Sequence, residues 1–230
     1  RSSDLALRLI PAFIYKRIEH RTDLLKIVDN IGWLFVDKIL RMGVGLLVAV
    51  WFARYLGPEQ FGLLNFALAF TGLFSAIATL GLQGIVVRDI VRDPDSARLT
   101  LGTAALFQLI GGLVAFVLIL IAVAYLRPDD RLAQSIVGIL GAIQLFKVSE
   151  IAVYWFESQV KSKYVVWVQN IIFLVFAIIK VVLILNKVSL SVFVWLMLLE
   201  AFLMAIILMI ILDIFGISIA SLRTSMSRAI

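Results

Sequence analysis

The 230-residue chain has no cysteine, and histidine occurs once, as His20. Without thiols there is no disulfide framework, no thiolate metal site, no c-type haem attachment and no cysteine nucleophile. One imidazole cannot make a cluster of histidine ligands. The sequence calls for no cofactor and no metal. Charge is scarce as well: charged residues make up 16% of the chain, against about 25% in soluble domains. In their place, 63% of residues are hydrophobic and the mean hydropathy is +1.08. A small domain leaves much of its surface in water, so a soluble core of this length cannot bury that many apolar side chains. A soluble globular enzyme, a disordered chain and a disulfide scaffold are excluded. An integral membrane protein whose outer surface faces lipid remains. The net charge of +6 then reads as orienting and lipid-facing charge, not as a nucleic-acid footprint.

The chain opens at Arg1 without a short apolar run and a small-residue cleavage site, so no signal peptide is expected and the N-terminus reads as a truncation. Residues 1–30 are mixed. Ile10, Phe13, Ile14 and Ile18 recur at helical spacing with Lys16, Arg17 and Arg21 between them, and Pro11 suits a first helical turn. This segment reads either as an interfacial amphipathic helix on a cytoplasmic membrane face or as a solvated tail.

Six apolar segments follow over residues 31–212. The first, about Ile31 to Leu56, ends at Gly57-Pro58-Glu59, where Gly closes one helix, Pro opens the next and Glu favours its positive end. The second, about Gln60 to Val87, is 28 residues without a charge, roughly 42 Å of helix against a ~30 Å hydrocarbon core. A charged loop, Arg88 to Arg98, leads to a third segment, Leu99 to Leu126. A turn at Arg127-Pro128-Asp129-Asp130-Arg131 precedes the fourth, Leu132 to about Trp155. The fifth runs from Tyr164 to Leu185 and the sixth from about Leu190 to Leu212; residues 213–230 read as a basic cytoplasmic linker. No segment alternates as a barrel strand would, and only helices satisfy their own backbone in lipid. The expected fold is therefore an all-α, six-transmembrane-helix bundle.

Basic residues set the orientation. With the N-terminus cytoplasmic, thirteen Lys and Arg fall inside and four, Arg54, Arg127, Arg131 and Lys187, fall outside. The external turns are short, which excludes a receptor ectodomain. Small residues four apart, Gly45/Ala49/Ala53, Gly72/Ala76, Gly111/Ala115 and Gly138/Ala142, read as close helix packing.

Seven charges lie within apolar segments: Asp37, Lys38, Arg41, Lys147, Glu150, Lys180 and Glu200. Each costs at least ~2.5–3.5 kcal/mol at mid-bilayer, so they are expected to converge on a protein-lined interior. Asp37 and Arg41 are four apart, and Lys147 and Glu150 three apart, on shared helical faces. Lys180 and Glu200 have no local partner, so either they pair across the fifth and sixth helices or they face a cavity. Lys38, Arg41 and Lys180 together suit a phosphate or acidic sugar, with snorkelling to lipid as the alternative for Lys38 and Arg41. Arg88 and Asp89 read as a gate or as orienting charge. Gln83, Gln108, Gln144, Gln169 and Asn170 add hydrogen-bonding groups.

The run Ala53-Arg54-Tyr55-Leu56-Gly57-Pro58-Glu59-Gln60-Phe61-Gly62-Leu63-Leu64 resembles the first-to-second helix junction of polysaccharide biosynthesis flippases. These are the Wzx-type O-antigen and exopolysaccharide translocases of the multidrug/oligosaccharidyl-lipid/polysaccharide exporter superfamily. Leu80-Gly81-Leu82 with Val87-Arg88-Asp89 is similar to the end of their second helix, Glu157 to Tyr164 to the loop before the fifth, and Lys180-Val181-Val182-Leu183 to the basic position within it. The resemblance covers about residues 30–212. It implies the N-terminal lobe of a 12–14-helix, two-lobe transporter, not an enzyme, in a bacterial plasma membrane. The implied cargo is undecaprenyl-pyrophosphate-linked oligosaccharide, moved from the cytoplasmic to the periplasmic leaflet with proton or cation coupling. Other polysaccharide assembly membrane proteins are the expected partners. On that reading Lys38, Arg41 and Lys180 contact the headgroup, while Asp37, Arg88, Asp89, Glu150 and Glu200 gate or couple. The rivals are a drug or cation antiporter of the same superfamily, which wants an acidic, aromatic cavity, and a membrane-embedded glycosyltransferase or polymerase. The second rival needs a metal or acidic catalytic loop, for which only Asp89, Asp93 and Asp95 offer themselves.

Overall fold

The computed structural model describes the backbone of residues 22–215 and 217, and the side chains of residues 35, 38, 39, 41–215 and 217. Residues 1–21, the side chain of Asp37 and the basic tail after residue 217 lie outside the described residues. Every regular element among the described residues is helical. In chain order these are α1 (Thr22–Leu73), α2 (Ser75–Thr79), α3 (Gln83–Arg92), a 3-10 turn (Pro94–Ser96), α4 (Ala97–Leu126), α5 (Arg131–Gly141), a 3-10 segment (Ala142–Ser149), α6 (Glu150–Ser158), α7 (Lys163–Leu185) and α8 (Leu190–Ile214).

Five helical stretches are long and apolar enough to cross a membrane, against the six expected. The difference lies at the front. Arg41–Arg92 counts as one stretch of 52 residues, and α1 alone, Thr22–Leu73, runs through the first expected segment and into the second. It is not straight. Gly57 has φ 71° and ψ 175°, outside helical geometry, and Pro58 follows it inside the helix. A side chain at Gly57 would be strained at that φ although the space around it is open. Residues on both sides of Gly57, Gly45 to Phe52 and Phe61 to Leu68, line one cavity, so the two limbs fold towards each other about this joint.

The expected 28-residue second helix is interrupted. Helix α1 ends at Leu73, α2 lasts five residues, and Leu80 (φ 52°) and Gly81 (φ 61°) take left-handed conformations before α3. The fourth segment is interrupted too. Between α5 and α6 eight residues are 3-10, although 3-10 runs beyond three or four residues are uncommon. Helix α4 passes unbroken between these irregular stretches. A Cβ on Gly111 would sit 2.6 Å from the carbonyl oxygen of Ile77, and one on Gly112 2.6 Å from that of Gln144. Only glycine lets α4 approach both backbones this closely. Of the four expected small-residue sets, Gly111/Ala115 packs in this way, with both residues buried. A Cβ on Gly45 or Gly72 would meet nothing within 4 Å.

The interior is divided. One dry core joins Val86 and Ile90 of α3, Leu101 and Ala105 of α4, Ile151 and Phe156 of α6, and Leu208 and Leu212 of α8. A second joins Phe52 and Leu64 of α1, Ile119 and Val123 of α4, Ile136 and Leu140 of α5, and Phe193 and Val194 of α8. Turns sort with the cores. Tyr55 donates to the carbonyl of Val188 at 2.7 Å at the Gly57 end, and Gln83 Nε2 donates to Glu157 Oε2 at 2.9 Å beside the other core. Asp130 caps α5 by accepting from the amide of Ala133 at 2.9 Å. Outside the cores the helices carry exposed Leu47, Ile121, Ile178 and Trp195, and the most apolar window of each spanning stretch is less than half buried. So much outward apolar surface is a lipid-facing surface. The protein is a multi-pass membrane protein, all-helical among the described residues.

Candidate functional site

Gln169, Phe173, Ala177 and Lys180 follow one another at four, four and three residues, and so share one face of α7. The first limb of α1 lies along this face. Arg41 donates to Gln169 Oε1 at 3.4 Å, and its guanidinium carbon is 5.5 Å from the centroid of the Phe173 ring, a cation–π placement. Further along, α1 and α7 part to open a cavity of about 220 Å³. Gly45, Ala49 and Phe52 line it from one limb of α1 and Phe61 and Asn65 from the other, with Phe173 and Lys180 of α7 and Met197 of α8. Gly45 leaves this space open because it has no side chain to fill it.

Lys180 brings a charge to the cavity wall, and Glu200 of α8 answers it. Lys180 Nζ lies 2.6 Å from Glu200 Oε2, with side-chain exposures of 14% and 19%. The two residues are twenty apart, so this is the pairing across the fifth and sixth segments that the sequence left open. Asn65 is the other polar residue on the wall, and its Nδ2 is spent on the carbonyl of Phe61 at 2.8 Å. The site is thus an apolar, aromatic-walled cavity with one compensated cation. The charge of Lys180 is already answered by Glu200 before any anion arrives.

Lys38, Arg41 and Lys180 do not form one cluster. Lys38 is exposed, Arg41 is held against Gln169 and Phe173, and Lys180 lies two turns beyond Phe173, roughly 10 Å along α7. Arg41 and Lys180 mark the two ends of one strip, joined by Phe173, which touches both the guanidinium and the cavity.

A second polar cluster lies between α4 and the 3-10 segment. Lys147 Nζ is 2.6 Å from Glu150 Oε1. Tyr154 donates to Glu150 Oε2 at 3.3 Å and accepts from Gln108 Nε2 at 2.9 Å. Gln108 is fully buried, and its Oε1 has no partner among the described residues. Sequence spacing pointed to Lys147 and Glu150 but missed Tyr154, although Glu150 and Tyr154 are also four apart. Gln144, in the same stretch, donates to the Thr71 carbonyl at 3.0 Å in the last turn of α1.

Arg88 and Asp89 bond to each other at 3.0 Å on the exposed side of α3, with side-chain exposures of 72% and 43%, and line neither cavity wall nor polar cluster. Asp89, Asp93 and Asp95 do not gather: among the described residues no group of three or more His, Asp or Glu is placed to hold a metal ion.

The model of one protein family, described as polysaccharide biosynthesis protein, matches residues 27–229. No curated protein and no solved structure matches the chain.

Proposed function

The chain belongs to the polysaccharide biosynthesis protein family, and from that premise we propose that it is a six-helix lobe of a lipid-linked oligosaccharide flippase. Its cargo on this reading is an undecaprenyl-pyrophosphate-linked oligosaccharide, carried from the cytoplasmic to the periplasmic leaflet for O-antigen, capsule or exopolysaccharide assembly. The six crossings arise if α1 turns back at Gly57. The N-terminus is cytoplasmic on the thirteen-to-four bias in basic residues. The protein acts as a carrier and not as an enzyme, in the bacterial inner membrane, alongside the other membrane proteins of polysaccharide assembly.

The observation that carries this reading is Lys180 on the wall of the cavity, 2.6 Å from Glu200 and 14% exposed. A pyrophosphate offers two charges where Glu200 offers one, so it competes for the ammonium. The strip from Arg41 through Phe173 to Lys180 gives the headgroup a cation at either end and an apolar, aromatic path between them. Lys38 and Arg41 form the entrance near the cytoplasmic leaflet, and Glu200 replaces the anion on Lys180 after it leaves. Glu150, Arg88 and Asp89 act away from the cavity, in coupling or gating. The lobe works against a second lobe by alternating access around the mid-membrane site.

The test is a flipping assay in liposomes with the full-length protein that carries this lobe. Lys180→Ala is expected to abolish translocation of the lipid-linked sugar while the protein still inserts. The Lys180→Ala/Glu200→Ala double variant, which restores charge balance, is expected to stay inactive. Wild-type flipping by the double variant would reduce Lys180 to a structural partner of Glu200 and overturn the proposal.

A further inference from the structure

The division of the interior has a mechanical meaning. Two dry cores are stacked along the bundle, and between them two of the neighbouring helices are broken at the same level. The path from Leu64 and Ala67 in one core to Val86 and Ile90 in the other runs through the α1–α2 break and the left-handed pair Leu80-Gly81. The path from Ile136 and Leu140 to Ile151 runs through the 3-10 segment Ala142–Ser149. Helix α4 crosses this level at Gly111-Gly112, a glycine pair of the kind at which helices bend. Broken backbone is tolerated in a membrane only where protein lines it, and here α4 does, with Gly111 against Ile77 and Ala78 and Gly112 against Gln144.

We infer that this level is a hinge inside the lobe. The core built on α3, α6 and the first half of α4 moves as one body against the core built on α1, α5 and the second half of α4. Helices α4 and α8 run unbroken through both cores, so they take up the bend at the joint. Two observations carry it beyond mere irregularity. The start of α3 is tied to the end of α6 by Gln83 and Glu157 at 2.9 Å, so the two broken paths move together. One side-chain bond bridges the two breaks, Gln144 Nε2 to the Thr71 carbonyl at 3.0 Å. This bond is buried, while Gln144 Oε1 has no partner among the described residues, so the latch is half-satisfied and easily exchanged for another arrangement. Helix α1 belongs to the Gly57-side core through Phe52 and Leu56. The motion therefore swings α3 and α6 relative to the length of α1 beside Arg41. Nothing in this hinge depends on the identity of the cargo.

The test measures distances between paired spin labels in the full chain, which has no cysteine of its own, reconstituted in lipid nanodiscs. One pair, Val91→Cys with Met42→Cys, uses exposed positions on α3 and α1 and spans the two bodies. The other, Leu126→Cys with Leu185→Cys, uses exposed positions at the Gly57 end and lies within one body. The first pair is expected to show two distance populations and the second pair one. Gln144→Leu keeps the volume and removes the latch. It is expected to shift the ratio of the two populations about fivefold, the factor carried by one buried hydrogen bond, and to leave the second pair alone. Gly81→Ala, which meets nothing within 4 Å but is strained at φ +61°, perturbs only the joint and is expected to move the same ratio. A single population for the first pair that neither variant moves, or equal changes in both pairs, would mean that the lobe is rigid and overturn the inference.

Discussion

Neutralising Lys180 alone leaves Glu200 as a charge in a site where the pair is 14% and 19% exposed. Breaking a buried ion pair by removing one partner costs about 3–5 kcal/mol, because the surviving charge stays desolvated without its counter-charge. At this exposure water screens little of that, so the range applies with little discount. Replacing both charges by neutral side chains of similar volume is often neutral or stabilising, since the desolvation cost of both ions disappears with their attraction. Lys180→Met and Glu200→Gln, each alone, are therefore expected to lower the midpoint of thermal unfolding by about 6–20 °C in a chain of this size. The double variant should return to within about 4 °C of the parent, roughly 1 kcal/mol. The assay is a fluorescence melt of the purified protein in detergent, run as a double-mutant cycle. Two singles as stable as the parent would show that each charge is already solvated, and the picture of a compensated cation in an apolar wall would fail. Stability restored in a double variant that does not flip lipid would separate the two roles of Lys180, as a counter-ion and as a ligand.

Three further outcomes follow from other parts of the molecule. Gly112→Ala drives a Cβ to 2.6 Å from the Gln144 carbonyl and is expected to cost about 1–3 kcal/mol, the range for overpacking. Gly72→Ala, with nothing within 4 Å, should stay within about 0.5 kcal/mol of the parent in the same melt; equal losses would refute the close approach of α4. A cysteine in place of Asp129 should react with an impermeant thiol reagent added to intact cells and one in place of Ser96 should not, and labelling of Ser96 would invert the assigned orientation. Arg41→Gln should weaken headgroup affinity about 10- to 150-fold, the worth of one charge-assisted phosphate contact at ~1.5–3 kcal/mol. Arg41→Lys keeps the charge but not the fork and should fall between; full flipping by both variants would leave Arg41 as a lipid-facing anchor.

Much of the architecture could be read from local chemistry. Apolar runs of membrane length are punctuated where helices end, at Arg127-Pro128 and Asn186-Lys187, and where one kinks, at Gly57-Pro58, because glycine, proline and charge act on the backbone where they stand. The Lys147–Glu150 pair was legible for the same reason: three residues of helix set its distance. The breaks were not. Phe74-Ser75-Ala76-Ile77-Ala78-Thr79-Leu80 is as apolar as its flanks, and Ala142 to Ser149 contains neither glycine nor proline. Their geometry follows from tertiary approach to Gly111 and Gly112, and those glycines read in sequence only as a packing motif. Lys180 and Glu200 were legible as two charges needing partners, but no spacing rule connects residues twenty apart on different helices.

The placement of charge follows from the same division of the interior. Glu200 stands on α8 between Val194, in one dry core, and Leu208, in the other. Lys147 and Glu150 flank the end of the 3-10 segment, between Leu140 and Ile151, and Gln144 reaches Thr71 at the same level. A dry core cannot hold these groups, since an ion without a partner there costs several kcal/mol. A layer of broken helices can, because its backbone offers polar atoms of its own. The interruptions and the ionisable side chains therefore occupy one level for one physical reason.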